Sequence, residues 1–193
     1  LGKHVLIEKP MALNRNSAEN ILYTALHQHK HVFCVMQNRY SSVALWLKDL
    51  VKKEALGDIF LVQTELFWNR SEQYYGSSDW KGKKSLDGGV IFTQFSHFVD
   101  MLYWIFGPFV PKYVDIQNVA HATLDIEDMG QIVLSFEKGF HGLLSYTTAV
   151  WEKNMSSEMT ILGSKGSIKI SGQYMDQIDY FNVEGVAQKD FPK

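Results

Sequence analysis

Two short apolar runs, residues 5–7 and 32–36, flank one helical stripe, and this strand, helix, strand order constrains the fold more than any other feature of the chain. Val5, Leu6 and Ile7 are continuous and β-branched at both ends, which predicts a parallel strand covered on both faces. Between residues 14 and 29, Ala18, Ile21, Leu22, Ala25 and Leu26 recur at helical spacing, with Asn14 or Asn16 available as N-cap. Such a βαβ unit crosses right-handed into a parallel sheet. A second helix is expected over residues 41–53, its apolar side carried by Val43, Leu45, Trp46, Leu50 and Val51.

After Gly57 the pattern changes. Residues 59–68, 114–122, 129–136, 140–150, 158–162 and 167–170 read as strands, with hairpin turns at residues 137–139 and 163–166. These predict an antiparallel sheet. Residues 89–106 read as one helix, apolar nearly all round and therefore buried on a face of that sheet. The fold class read from this pattern is α+β: a βαβ unit, then a mostly antiparallel sheet with a helix packed on one face.

Nineteen Lys and Arg against twenty-one Asp and Glu, with no basic run, exclude a nucleic-acid partner. No apolar stretch approaches the ~20 residues of a spanning helix, so no membrane partner is expected. The single cysteine, Cys34, cannot form an internal disulfide, which fits a reducing cytoplasm, and no His/Cys cluster has metal-ligand spacing. The first residue is not Met and a strand begins almost at once, so an incomplete chain is expected.

Lys9 follows the first strand at its carboxyl end, the edge where ligands of open α/β sheets collect, and Pro10 stiffens the turn. A solvated surface lysine would have the same local signature. His97 lies in the apolar helix with Thr93 four residues before it and Asp100 three after, so a hydroxyl, an imidazole and a carboxylate share a face. An imidazole there can exchange a proton with a substrate hydroxyl, or it can be a core histidine satisfied by Asp100 or by backbone. Gly88-Gly89 opens the same helix and reads either as an anion-holding N-terminus or as a tight loop. Residues 68–81 form a loop rich in Trp, Tyr, Arg and Lys, suited to sugar rings and phosphates or to an interface.

Gly2-Lys3-His4-Val5-Leu6-Ile7-Glu8-Lys9-Pro10, then Gly88-Gly89 with His97-Phe98-Val99-Asp100, then a strand-rich remainder, resemble the Gfo/Idh/MocA family of NAD(P)-dependent oxidoreductases. The resemblance implies that residues 1–38 are the C-terminal remnant of a Rossmann dinucleotide-binding domain and residues 39–193 a substrate-binding and oligomerisation α/β domain with a large open sheet. It implies NAD or NADP as cofactor, with Glu8, Lys9 and Pro10 beside it, and Lys9 and His97 as the acid/base pair. Arg39, Trp80, Lys81, Thr93, Gln94 and Asp100 are the expected substrate contacts. Many relatives carry an aspartate where Thr93 stands, and a hydroxyl cannot replace that base. The implied substrate is a sugar, cyclitol or sugar nucleotide, and the implied assembly a homodimer or homotetramer through the open sheet. Residues 80–82 are similar to sugar-nucleotide dehydrogenases of bacterial surface-glycan pathways. No G-x-G-x-x-G occurs in the chain, so by itself it is expected to be inactive, with the complete parent supplying that motif. The competing reading is a non-catalytic carbohydrate-binding or assembly module of the same fold.

Overall fold

The computed structural model describes residues 2–187. Strand β1 (Val5–Glu8), helix α1 (Arg15–His27) and strand β2 (Val32–Val35) form the expected unit, with β1 and β2 parallel and Val5 opposite Val32. Asn14 caps α1, its side chain accepting from the Ser17 N–H at 2.8 Å. The expectation of strands covered on both faces is not met. Leu6 is 72% exposed and Phe33 56%, and α1 has no fully buried residue. Within this chain one helix and two strands supply too few layers to close a core. Ala18, Ile21 and Ala25 face the strands half-buried while Leu22 and Leu26 stay exposed, and a hollow of about 530 Å³ remains between helix and strands, lined by Val5, Ile7, Ile21, Ala25 and Val32.

A short 3₁₀ turn, Gln37–Tyr40, leads into α2 (Ser42–Lys52), whose N-cap Ser41 accepts from the Ala44 N–H. Then come β3 (Ile59–Phe67), α3 (Glu72–Gly76), α4 (Lys84–Asp87), α5 (Val90–Thr93) and α6 (Ser96–Phe106). Strands β4 (Phe109–Gln117), β5 (Met129–Phe136), β6 (His141–Thr147), β7 (Ser156–Gly163), β8 (Gly166–Ser171) and β9 (Gln177–Val183) complete the order. They build a seven-stranded sheet ordered β4-β5-β6-β3-β7-β8-β9, antiparallel except for β3 beside β6.

Alternation along β3 buries Val62, Thr64 and Leu66 and turns Leu61, Gln63, Glu65 and Phe67 to the other face. On the buried side Val62, Leu66, Leu144, Met159, Ile161, Ile168 and Ile170 meet Leu47 of α2 and Phe98, Met101 and Leu102 of α6, all at 3% exposure or less. Each such side chain contributes roughly 1.5–3 kcal/mol by leaving water. The helices therefore cover one face. The other carries polar groups, including the Lys169–Glu158 ion pair at 2.5 Å, among Val110, Tyr113, Leu143, Leu162 and Tyr180.

Three elements differ from expectation. The helix expected over residues 89–106 is two helices, broken at Gln94-Phe95, where Phe95 is fully buried against Trp68, Phe98 and Tyr146. The strand expected over residues 114–122 begins earlier, at Phe109, because an edge strand with a register shift accommodates Pro111. Strand β9 was not expected, since Gln177, Asp179 and Asn182 give it an outward polar face that reads as loop.

Candidate active site

Lys9 leaves the end of β1, across a cis peptide to Pro10, and its ammonium donates to the carbonyl of Thr93. That carbonyl ends α5, where the chain breaks before α6, so it belongs to the set of terminal carbonyls that a helix leaves without internal partners. The break thus makes the acceptor that Lys9 uses. The amine is half-buried, and burial lowers its pKa against the raising effect of the Glu8 and Asp87 charges.

His97 is the second residue of α6 and is buried. Its pKa is lowered, first by burial and then by the Lys9 charge, which marks the two groups as electrostatic neighbours although 88 positions separate them in sequence. Its Nδ1 is buried with no hydrogen-bond partner. A core histidine satisfied by Asp100 is not what the structure holds, because both Asp100 oxygens accept from Arg39: Oδ2 from Nε at 2.7 Å and Oδ1 from Nη2 at 2.5 Å. Arg39 and Asp100, both expected at the substrate, are partners of each other in a bidentate pair beside Trp104.

Thr93 does not stand alone in place of a carboxylate. Its hydroxyl donates to Oδ1 of Asp87 at 2.6 Å, and Oδ2 of Asp87 accepts from the Gly82 N–H at 2.8 Å. Asp87, at the end of α4, is 3% exposed and is a residue that sequence reasoning missed. The signal was an acid directly before Gly88-Gly89. Those glycines have φ of 83° and 119°, and a Cβ on Gly89 would lie 2.7 Å from the Glu127 carboxylate. Glu127 also accepts from the Ile91 N–H at 3.0 Å, so the helix opening expected to receive an external anion already holds this carboxylate.

Gln94, next after Thr93, joins the site to the aromatic loop. Its Nε2 donates to the Tyr74 hydroxyl and its Oε1 accepts from Arg70 Nε, both at 2.7 Å. The Arg70 guanidinium lies 4.8 Å from the Trp68 ring and 5.2 Å from the Tyr74 ring, and Lys81 Nζ lies 4.1 Å from Tyr74. Trp80 stands exposed beside Lys81. Arg70 was expected only as one cation of this loop; its backbone carbonyl faces Nε2 of buried His121 at 2.7 Å, whose Nδ1 meets Asp128 at 2.8 Å. Burial works against the charged form of Asp128, but hydrogen bonds from Val119, Ala120 and His121 hold its carboxyl below the usual range. A hollow of about 500 Å³, lined by Val51, Leu56, Asp58, Lys138 and Phe140, lies away from these residues, at the opposite end of β3.

The arrangement gathers Lys9, His97, Thr93, Asp87 and Gln94 at one place, with an aromatic and cationic wall reached through Gln94. A half-buried amine and an uncharged imidazole can take or give a proton.

Residues 44–169 match the profile of the GFO/IDH/MocA C-terminal domain. The WlbA dehydrogenase from Bordetella pertussis, solved in complex with NADH and UDP-GlcNAcA, is 30% identical with a TM-score of 0.93, over 98% of this chain and 54% of that one. The WlbA dehydrogenase from Chromobacterium violaceum, in complex with the same two molecules, is 32% identical with a TM-score of 0.90, over 98% and 55%. A trans-1,2-dihydrobenzene-1,2-diol dehydrogenase of Mus musculus is 25% identical over 99% of this chain and 54% of its own length. The chain spans about half the length of these relatives.

Proposed function

The chain belongs to the GFO/IDH/MocA family, and from that premise we propose that it is the substrate-facing part of an NAD(P)-dependent oxidoreductase acting on a ring hydroxyl of a sugar nucleotide. In this reading residues 1–38 close the dinucleotide-binding domain, residues 39–193 hold the substrate, and the open face of the sheet joins copies into a homodimer or homotetramer. Among the described residues no helix is long and apolar enough to cross a membrane; a cytoplasmic site fits the lone Cys34.

The observation that carries the reading is that Lys9 donates to the Thr93 carbonyl at the break between α5 and α6, while His97, the second residue of α6, lies near enough to feel its charge. An amine and an imidazole with an unpartnered Nδ1 leave hydrogen-bonding capacity unspent there, which fits the reacting end of a nicotinamide cofactor. The sequence holds no G-x-G-x-x-G motif of the kind that cradles its diphosphate. When bound, the cofactor accepts or returns a hydride.

Oxidation of a secondary alcohol removes a proton from oxygen as the hydride leaves carbon. Lys9 Nζ, in its uncharged form, accepts that proton, and burial makes this form accessible. His97 steadies the same oxygen from the second side. Gln94, Tyr74 and Lys81 orient the remainder of the substrate, with Trp80 offering a ring face. Two groups set at fixed positions convert a three-body encounter into one bound geometry.

The test uses the full-length protein. Titration with NADH and turnover of UDP-sugars with NAD and NADP should show binding and reduction of the cofactor, and Lys9→Met and His97→Asn should each lower kcat by roughly 10²–10⁴ with the melting curve preserved. Absence of cofactor binding by the full-length protein, with carbohydrate binding retained, would favour the non-catalytic module instead.

A further inference from the structure

Asp87 is a buried carboxylate whose two oxygens are used differently. Oδ2 holds the Gly82 N–H and so fixes the loop before α4; Oδ1 holds the Thr93 hydroxyl. Thr93 is also the residue whose carbonyl receives the Lys9 ammonium. One side chain therefore fixes both the acceptor on which Lys9 rests and the position of an anion near it. Burying a carboxylate costs several kcal/mol unless donors and a counter-charge offset it; here the Gly82 N–H and the Thr93 hydroxyl donate to it, and the Lys9 charge lies within electrostatic range.

We propose that Asp87 is a positioning residue for Lys9, acting through Thr93 and through its own buried charge to set where the amine points and how firmly it keeps its proton. The inference deepens the preceding reading and rests on it only for what Lys9 does to a substrate. The charged and titratable groups around Lys9 are Glu8 on its own strand, Asp87 at the end of α4 and His97 on α6. Tyr75 of α3, whose hydroxyl pairs with Thr148, lies within electrostatic range of Asp87; its pKa is pushed up to about 12, mainly by burial, so it stays neutral across the working range. Glu8 is solvent-exposed, and water screens its charge. The Asp87 charge is enclosed and less screened. Its sign is opposite to that of the ammonium, so removing it makes Lys9 lose its proton more easily.

The experiment reads Lys9 directly, without relying on turnover. Competitive labelling of the full-length protein with acetic anhydride, followed by peptide mass spectrometry across pH, reports the uncharged fraction of each lysine. In Asp87→Asn, Lys9 should label several-fold faster at neutral pH, up to about tenfold, as expected on losing a nearby opposite charge, while other lysines keep their rates. The acid limb of the pH profile for turnover should move to lower pH by the same sign. If Asp87→Asn only lowers the melting temperature and leaves Lys9 labelling unchanged, the role is structural and the inference is overturned. Should that variant fail to fold, the wild-type protein still decides: the carboxyl carbon of Asp87 must change its NMR shift as Lys9 deprotonates, and a flat signal through that range overturns the inference. Altered labelling in a protein without turnover would preserve this inference and remove the enzymatic reading; turnover that depends on Lys9 with unaltered labelling would do the reverse.

Discussion

At Lys9 and His97 burial acts in one direction, since both groups are cationic when protonated and both are easier to keep uncharged away from water. For His97 the neighbouring ammonium adds to that effect. The sign for activity follows: a pKa below the ordinary histidine value leaves the ring uncharged at neutral pH, and acidification charges it. We predict that kcat/KM of the full-length protein falls on the acid side and that His97→Asn removes the part of that limb due to the imidazole. An acid limb of unchanged shape in His97→Asn contradicts this assignment. Lys9 stood out in the sequence because a lysine and a proline directly follow a short apolar run, and His97 because it interrupts a helix that is otherwise largely apolar. Asp87 did not, and Arg70 did only as one cation of the aromatic loop; that Asp87 meets Thr93 and Gly82, and Arg70 meets Gln94 and His121, depends on the folded chain.

The break between α5 and α6 shows what hydrophobic pattern alone conveys about an element. Residues 89–106 are apolar nearly all round, so the pattern does not mark an interruption, and a continuous helix is the default reading. Packing decides otherwise: Phe95 sits edge-on to Trp68 at 4.9 Å between ring centroids, and Trp68 is itself held by its Nε1 donating to Ser157 at 2.7 Å. At the start of the same segment Gly89 combines a φ of 119° with the Glu127 carboxylate against its Cα. Gly89→Ala should therefore destabilise the protein by more than about 1 kcal/mol, read by thermal or urea denaturation. An alanine variant as stable as wild type would mean that neither the backbone angle nor the close approach constrains this position. Strands β3, β5, β6 and β7 were readable because alternation on a half-buried sheet is a strong signal. Strand β4 was displaced by Pro111 and β9 hidden by its polar face, and both lie at sheet edges, where burial imposes the least pattern.

Across the whole molecule the two sheets differ in how far this chain completes them. The seven-stranded sheet has one face closed by α2 and α6, whereas β1, β2 and α1 leave Leu6, Phe33 and Leu26 exposed. In our reading a dinucleotide-binding portion covers that unit and a second copy covers the open sheet. Light scattering on the full-length protein should give a dimer or tetramer, and Leu143→Glu, in the middle of the open face, should shift it toward monomer; an unchanged assembly in that variant would place the contact elsewhere. Sequence pattern conveyed the α+β class and the single helix-covered face because strand alternation and one largely apolar helical segment leave few other architectures. The meeting of Lys9 with α5 lay outside its reach, since it spans 84 residues and depends on how the helix ends. The most direct measurement is a crystal structure of the full-length protein with reduced cofactor and a UDP-sugar. The account predicts the reacting ring oxygen within hydrogen-bonding distance of Lys9 Nζ, with His97 on its other side. A reacting oxygen held by other residues, with Lys9 and His97 away from it, would contradict the account.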